Sequence, residues 1–225
     1  MEGSLIKNKN FMLTFFGALI SNIGAVLYSF AVSFYILKIT NNNSVIQGTY
    51  LLVTGIISVI VMLFGGVIAD RFNKAKIMYI CDYIKGLILA STTLVMVFNS
   101  SSEFTVILLF IAGVTGSIVS SLFSPASSAL LPLIVEEDKL QKANSYFSLL
   151  QSVQSIVGIL LAGILYSILP ITTLFFIVSG CYILSGISEM FIKYNYVKND
   201  DKLTIKTITN PNAIHQIEIR SQTNH

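Results

Sequence analysis

The sequence predicts an all-α membrane protein that crosses the bilayer six times. Hydrophobic residues make up 54% of the 225 residues and charged residues only 11%, whereas a water-soluble domain carries about 25% charge. The hydrophobic residues form six blocks, each longer than the roughly 20 residues that cross a hydrocarbon core. Backbone amides in lipid must be paired within the segment, and the blocks lack the alternation of barrel strands. Six transmembrane helices are therefore predicted, at Phe11–Leu37, Val45–Ala69, Ile77–Phe98, Phe104–Val135, Ala143–Ile168 and Ile171–Ile192.

The first block follows Lys7 and Lys9, as the hydrophobic core of a secretory signal would. A signal core is about 7 to 15 residues long and is followed by a small-residue cleavage site. This block is much longer, and no such site precedes Lys38. We therefore expect the block to stay in the protein as the first transmembrane helix.

Five short connections join the six predicted helices. The segments "TNNNS" and "NSSSE", which carry no basic residue, follow the first and third blocks, and the segments "DRFNKAK" and "EEDKLQK", which carry Lys or Arg, follow the second and fourth. Only Leu169 and Pro170 separate the fifth block from the sixth. None of these connections is long enough to fold into a soluble domain. Residues 11–193 are thus expected to form one transmembrane domain, between an amino-terminal segment (1–10) and a polar, disordered tail (194–225).

The distribution of Lys and Arg predicts that both termini are cytoplasmic, because short loops rich in these residues stay on that side. With the amino terminus inside, only Lys38 lies outside. The basic residues on the cytoplasmic side then include Lys7, Lys9, Arg71, Lys74, Lys76, Lys139, Lys142, Lys193 and Lys198. This asymmetry accounts for the net charge of +3 without a nucleic-acid partner. We predict a multi-pass protein of the cell membrane, in contact with membrane lipid.

No residue pattern indicates an enzyme, a metal site or a bound cofactor. The histidines, His215 and His225, lie in the tail, and no Walker, HExxH or GxSxG motif is present. Cys81 and Cys181 fall inside predicted helices and are interpreted as small packing residues. Any work that this chain performs is therefore expected to draw on a solute or ion gradient.

The connection between the second and third predicted helices carries a motif. Its sequence, "GGVIADRFNKAK", resembles the loop between helices 2 and 3 of the major facilitator superfamily. That signature runs roughly Gly, any residue, Leu, Ala, Asp, Arg, any residue, Gly, Arg, Lys, Arg. The matching residues are Gly66, Ala69, Asp70 and Arg71, with Ile68 in the Leu position and Lys74 as the first basic residue.

The resemblance implies a role for the motif in the transport cycle. Gly66, Asp70, Arg71 and Lys74 would form a conformational latch that holds the two halves of a transporter together on the cytoplasmic side. The alternative is that the basic residues, including Lys76, serve only as topology signals. Positive-inside sorting does not require an acid, so the latch is the favoured interpretation for Asp70.

The remaining residues of the motif include two departures from the signature and a pair of glycines. Asn73 stands in the second glycine position of the signature, and Asn tolerates a left-handed turn better than most residues. Ala75 stands where a second basic residue is usual. Gly65 and Gly66 are expected to permit close approach between helices.

A second stretch, from the fourth helix into the fifth, resembles macrolide-efflux and siderophore-export members of that superfamily. Their "PA…ALLP" stretch and "L…AN" are carried here by Pro125, Ala126, Ala129, Leu130, Leu131, Pro132, Leu140, Ala143 and Asn144. Further on, "GILLAG" resembles the exporter signature "GPxLAG", with Ile159 replacing the proline that usually bends the helix. The resemblance implies the amino-terminal six-helix half of a major facilitator fold. It also implies export of a drug-like or siderophore-like small molecule, driven by an ion gradient.

Polar residues in the first, second, fourth and fifth helices are candidates for lining a transport cavity, because these helices border the cavity in the superfamily. Serines and glycines at helical spacing also occur where helices simply pack closely. An amide in lipid is more informative, because it must find a partner or water. The candidate lining residues are Asn22, Gln47, Gln151, Gln154 and Gly158.

Charged residues inside the predicted helices are a separate group of candidates. Asp82 and Lys85 lie three residues apart on the third helix and approach the middle of the bilayer. A protonatable acid at that depth could couple transport to protons, whereas a buried structural ion pair is the other interpretation. Glu189 and Lys193, four residues apart at the end of the sixth helix, are interpreted as an interfacial pair.

The chain length leaves three functional interpretations open. Transporters of the superfamily have two six-helix halves, with the solute site between them, and this chain supplies one. It could be the half of an exporter, or a half-transporter that pairs with a second copy or with a separate carboxy-terminal half. It could also be a truncated or non-transporting membrane interaction protein.

Overall fold

The computed structural model describes residues 5–98 and 101–194, apart from the side chains of Val67 and Asp70. Within these residues, six helical stretches are long and apolar enough to cross a membrane, which confirms the predicted six-helix membrane architecture. The helices are α1 (Lys9–Ile39), α2 (Ser44–Arg71), α3 (Lys74–Phe98), α4 (Ser102–Ile134), α5 (Leu140–Val153), α6 (Ile159–Ile168) and α7 (Ile171–Met190). The predicted tail lies outside the described residues except for Tyr194, and the cytoplasmic orientation of the termini stays a prediction.

The fifth span is not one regular helix. A π-helical segment, Gln154–Gly158, joins α5 to α6. Such segments insert one extra residue into a helical turn and are a known cause of helix irregularity. The segment ends directly before Ile159, the residue that replaces the signature proline. The irregularity therefore occurs where the proline would have caused one, by a different backbone mechanism.

Asparagine and serine side chains begin several of the helices. Asn8 caps α1, Asn43 caps α2 and Ser101 caps α4, each by accepting a backbone amide of the first turn. Asn41 and Asn42, in the turn before α2, have positive φ angles of 53° and 62°. Asparagine tolerates this conformation better than most residues. The "TNNNS" connection is thus a tight turn followed by a helix cap.

Asn73 begins the third helix. The described non-glycine residues with positive φ do not include Asn73, so Asn73 does not form the left-handed turn that an asparagine tolerates. Its side-chain oxygen instead accepts the amide of Lys76 at 3.0 Å, and its carbonyl accepts the amide of Ile77 at 3.0 Å. Asn73 is therefore the cap of α3, which explains why an asparagine serves in this position.

The helices form a bundle in which α7 packs against α1 and α3, and α4 packs against α2 and α3. One hydrophobic cluster lies near the α1–α2 and α3–α4 connections and includes Val32, Leu109 and Phe175. A second lies at the opposite end, near the α2–α3 connection, and includes Met78 and Leu130. Buried polar and charged residues of α1, α3 and α7 lie between the two clusters along the helices.

Small residues allow α2 and α4 to approach closely. The hydroxyl oxygens of Ser58 and Ser121 are 2.8 Å apart. A Cβ atom added at Gly65 would lie 2.8 Å from the Ser121 carbonyl oxygen and 3.2 Å from the ring of Pro125. Gly65 therefore has the packing function expected of it. Gly66 does not, because a Cβ there would have no neighbour within 4 Å among the described residues.

Candidate functional site

Among the described residues, the spaces between the helices include the following two cavities. The first, here called the Asn22 cavity, has a volume of about 280 Å³ and lies between α1, α4 and α5. Its polar lining residues are amides and hydroxyls: Asn22, Ser124, Ser127, Ser128, Asn144, Ser148 and Gln151. No charged side chain of the described residues lines it. The cavity therefore offers hydrogen-bond donors and acceptors without a net charge.

The second cavity, here called the Tyr50 cavity, has a volume of about 250 Å³ and lies mainly between α1, α2 and α4. The hydroxyls of Tyr28 and Tyr50 approach each other to 3.4 Å at its wall. Gly113 on α4 leaves the space that the Tyr50 ring occupies, because a Cβ there would lie 2.5 Å from ring atoms. Lys85 and Tyr182 also line this cavity, so it reaches the charged residues of the bundle.

The cavity residues predicted from the sequence separate into two groups. Asn22 and Gln151 both line the Asn22 cavity. Gln47, Gln154 and Gly158 line neither of these two cavities, and their role in lining a transport cavity stays a prediction.

The surroundings of these three residues differ. Gln47 lies in the first turn of α2, directly after the two residues whose amides Asn43 caps. Gln154 is buried, and its side-chain amide donates to the Leu19 carbonyl oxygen at 3.2 Å. Gly158 packs against α1, where an added Cβ would lie 3.1 Å from Val26. The last two therefore hold the π-helical segment against α1.

Asp82 and Lys85 are both buried and form an ion pair in the bundle. The Lys85 Nζ atom lies 2.8 Å from Asp82 Oδ1, which also accepts the hydroxyl of Ser21 at 3.1 Å. The same ammonium lies 4.6 Å from the ring centroid of Phe123 and 4.9 Å from that of Tyr182. It thus has an anion and two aromatic faces as neighbours. Whether the pair couples transport stays a prediction.

Glu189 belongs to this charged group, and its predicted pairing with Lys193 is wrong. The side chain is fully buried and lies against α1, where a Cβ at Gly17 would be 3.0 Å from Glu189 Cγ. The backbone of Lys193 instead bonds to the first turn of α1. Its amide donates to Asn10 Oδ1 at 3.1 Å, and its carbonyl oxygen accepts from Asn10 Nδ2 at 2.5 Å.

A sequence signal for the position of Glu189 existed. The residue lies seven positions after Tyr182 and four after Ser185, which are also buried. This spacing puts all three on one face of α7. The pairing of Glu189 with Lys193 was predicted from their four-residue spacing alone, which does not show that this face of α7 is buried in the bundle.

The signature loop is very short in the structure. Only Phe72 and Asn73 separate α2 from α3. The hydroxyl of Tyr194 accepts the Lys74 amide at 2.8 Å and donates to Asn73 Oδ1 at 3.2 Å. Arg71 is exposed, and the side chain of Asp70 is outside the described residues. The latch function of Gly66, Asp70, Arg71 and Lys74 therefore stays a prediction, while the loop itself is bonded to the segment that follows α7.

A membrane-spanning helical bundle with polar cavities between its helices has the architecture of a membrane transport protein. The family model described as Major Facilitator Superfamily matches residues 14–211, and the chain belongs to that superfamily. The resemblance inferred from the motifs is thereby confirmed. The chain is a multi-pass protein of the cell membrane from a transporter family rather than an enzyme family.

Curated relatives agree with this assignment. The chain is 27% identical over 186 residues to an uncharacterized MFS-type transporter, YkuC, of Bacillus subtilis, covering 81% of this chain and 41% of that protein. It is 31% identical over 169 residues to macrolide efflux protein A of Streptococcus pyogenes, covering 72% of this chain and 40% of that protein. The chain thus spans about two fifths of the length of these relatives. No solved structure matches it significantly.

Proposed function

We propose that this chain forms one half of a secondary active exporter that moves a drug-like or siderophore-like small molecule, using an ion gradient. The observation that carries the proposal is the Asn22 cavity, whose polar wall consists of amides and hydroxyls. Such a wall suits a molecule rich in hydroxyl, ether and carbonyl groups, because each of these can be paired without a buried charge. The relative named for macrolide efflux supports this class of substrate.

The size of the cavity supports a shared binding site. Pockets that enclose drug-sized ligands have volumes of about 300 to 1,000 Å³, and the Asn22 cavity has about 280 Å³. A second wall would enlarge the site, and in this superfamily the solute lies between two parallel halves. The proposed partner is a separate carboxy-terminal half or a second copy of this chain in the same orientation.

An uptake experiment tests the proposal. The chain would be expressed alone and with a six-helix carboxy-terminal half of a macrolide-efflux relative, and intracellular accumulation of a radiolabelled macrolide would be measured. We expect lower accumulation only when the second half is present, and loss of this effect when the proton gradient is collapsed. Macrolide accumulation equal to that of cells without the chain would favour the other interpretation, a non-transporting membrane protein that pairs with another half.

Substitutions then test the cavity itself. Asn22→Leu and Gln151→Leu remove an amide from the wall of the Asn22 cavity while keeping a side chain of similar length. Both are expected to raise macrolide accumulation. Gln47→Leu makes the same chemical change outside both cavities and serves as the control. If Gln47→Leu impaired export as much as the other two at equal membrane abundance, the Asn22 cavity would not be the binding site.

A further inference from the structure

The charges of the buried ionisable residues in the bundle do not cancel. Asp82 and Glu189 are fully buried, and Lys85 is nearly so. They act electrostatically on one another across α3 and α7. With all three ionised, two negative charges face one positive charge, which leaves a net charge of −1 between apolar helices. A buried charge without a partner is strongly unfavourable.

Hydrogen bonding also leaves part of this group unsatisfied. Lys85 and Ser21 both bond to the same oxygen of Asp82, Oδ1. Among the described residues, Asp82 Oδ2 and both carboxyl oxygens of Glu189 have no hydrogen-bond partner. A buried carboxyl oxygen without a hydrogen-bond partner costs free energy unless a proton or another cation binds to it.

The surroundings of Glu189 favour a proton over a larger cation. On α1, the side chain faces Gly17, whose added Cβ would lie 3.2 Å from Glu189 Oε1. On α3, the titratable groups are Cys81, Asp82 and Lys85. The ammonium of Lys85 already occupies the cation position on Asp82, and no group of three metal-ligating side chains occurs in the described part of the chain. One proton would make the cluster neutral without requiring more space.

From this charge balance we propose that Asp82, Lys85 and Glu189 form a binding site for a single proton inside the six-helix unit. Lys85 also lines the Tyr50 cavity. Loss of the proton would therefore change the net charge beside that cavity from zero to −1. The use of this site as the coupling site of an exporter rests on the proposed function, whereas the presence of the bound proton does not.

Infrared spectroscopy of the full chain in lipid vesicles tests the site without any transport. At about pH 7 exposed carboxylates are ionised, so a C=O stretch from a protonated carboxylic acid reports a buried one. We expect one such band in the unmodified chain. Glu189→Gln and Asp82→Asn each leave one carboxylate facing Lys85, a neutral pair, and each is expected to abolish the band.

Two further variants make the charge balance decisive. Lys85→Met leaves two carboxylates without a cation, so neutrality requires two protons and the band should roughly double in area. Glu103→Gln makes the same chemical change as Glu189→Gln at an exposed position in the first turn of α4, and the band should be unchanged. If Glu189→Gln does not fold, Asp82→Asn and Lys85→Met decide the question by themselves.

Several results would overturn the proposal. The absence of an acid band at neutral pH in the folded chain would show that both carboxylates are ionised. A band that disappears on addition of sodium ions at constant pH would identify the occupant as a metal cation. A band that persists in Glu189→Gln and Asp82→Asn would belong to another group.

A chain that has the expected bands but exports no macrolide with its partner half would keep the proton site and contradict the proposed function.

Discussion

Replacing Gly65 with alanine should destabilise the bundle, although alanine is the better helix former. In a helix interior, alanine is favoured over glycine by about 0.5–1 kcal/mol. At Gly65, however, the new methyl group would lie 2.8 Å from the backbone carbonyl oxygen of Ser121. A backbone atom cannot rotate away, so α2 and α4 must separate, and overpacking of this kind costs about 1–3 kcal/mol. The net expectation is a loss of about 0–2.5 kcal/mol.

Gly66→Ala is the matched control for this experiment. The two glycines are adjacent on α2, but a Cβ at Gly66 has no described neighbour within 4 Å. The propensity gain is the same for both, so the difference between them isolates the overpacking cost of about 1–3 kcal/mol.

The measurement is the free energy of unfolding of each variant in mixed micelles, titrated with a denaturing detergent. Equal stabilities for Gly65→Ala and Gly66→Ala would refute the reasoning, as would a larger loss for Gly66→Ala. Gly66 is the glycine that matches the family signature, so this comparison also separates packing from the predicted latch. A Gly66→Ala variant that is stable but inactive in export would support a latch function.

Three further predictions concern other contacts. Gln154→Leu should lower the free energy of unfolding by about 0.6–1.7 kcal/mol in the same titration, since it removes the interhelical bond to the Leu19 carbonyl; an unchanged value would mean that this bond does not stabilise the bundle. Tyr194→Phe should cost about 0.5–1.5 kcal/mol, because it removes the hydroxyl that is bonded to the α2–α3 connection, and proteolysis of that connection in micelles should become faster. In a chain without its native cysteines, a cysteine at Asn42 should react with an impermeant thiol reagent added to intact cells and one at Lys139 should not; the opposite pattern would reverse the topology.

The number of membrane spans and their approximate limits could be predicted because they depend mainly on length and hydropathy. The first predicted helix, Phe11–Leu37, differs from α1, Lys9–Ile39, by two residues at each end. The extensions come from the caps, which hydropathy does not include. The boundary of α3 is the clearest case, since the predicted helix begins at Ile77, whereas Asn73 caps a helix that begins at Lys74.

Which residues face the cavities could be predicted only in part. In a soluble helix, the apolar side marks the core, whereas lipid is as apolar as the interior of a membrane bundle. Hydropathy therefore could not show that Gln154 faces α1 while Gln151, three residues earlier, faces the Asn22 cavity. The π-helical segment that begins at Gln154 also shifts the register of the fifth span, and no residue type encodes such a segment.

The bonds between Asn10 and Lys193 bring the first and last residues of the bundle into direct contact. A unit whose two ends meet can be joined head to tail by a short peptide and reopened elsewhere, as in circular permutation. The "TNNNS" turn is a suitable place for new ends, because it is exposed at the far side of the bundle. The same geometry lets a gene for this unit be duplicated in tandem, since each copy would begin beside the point where the previous one ends.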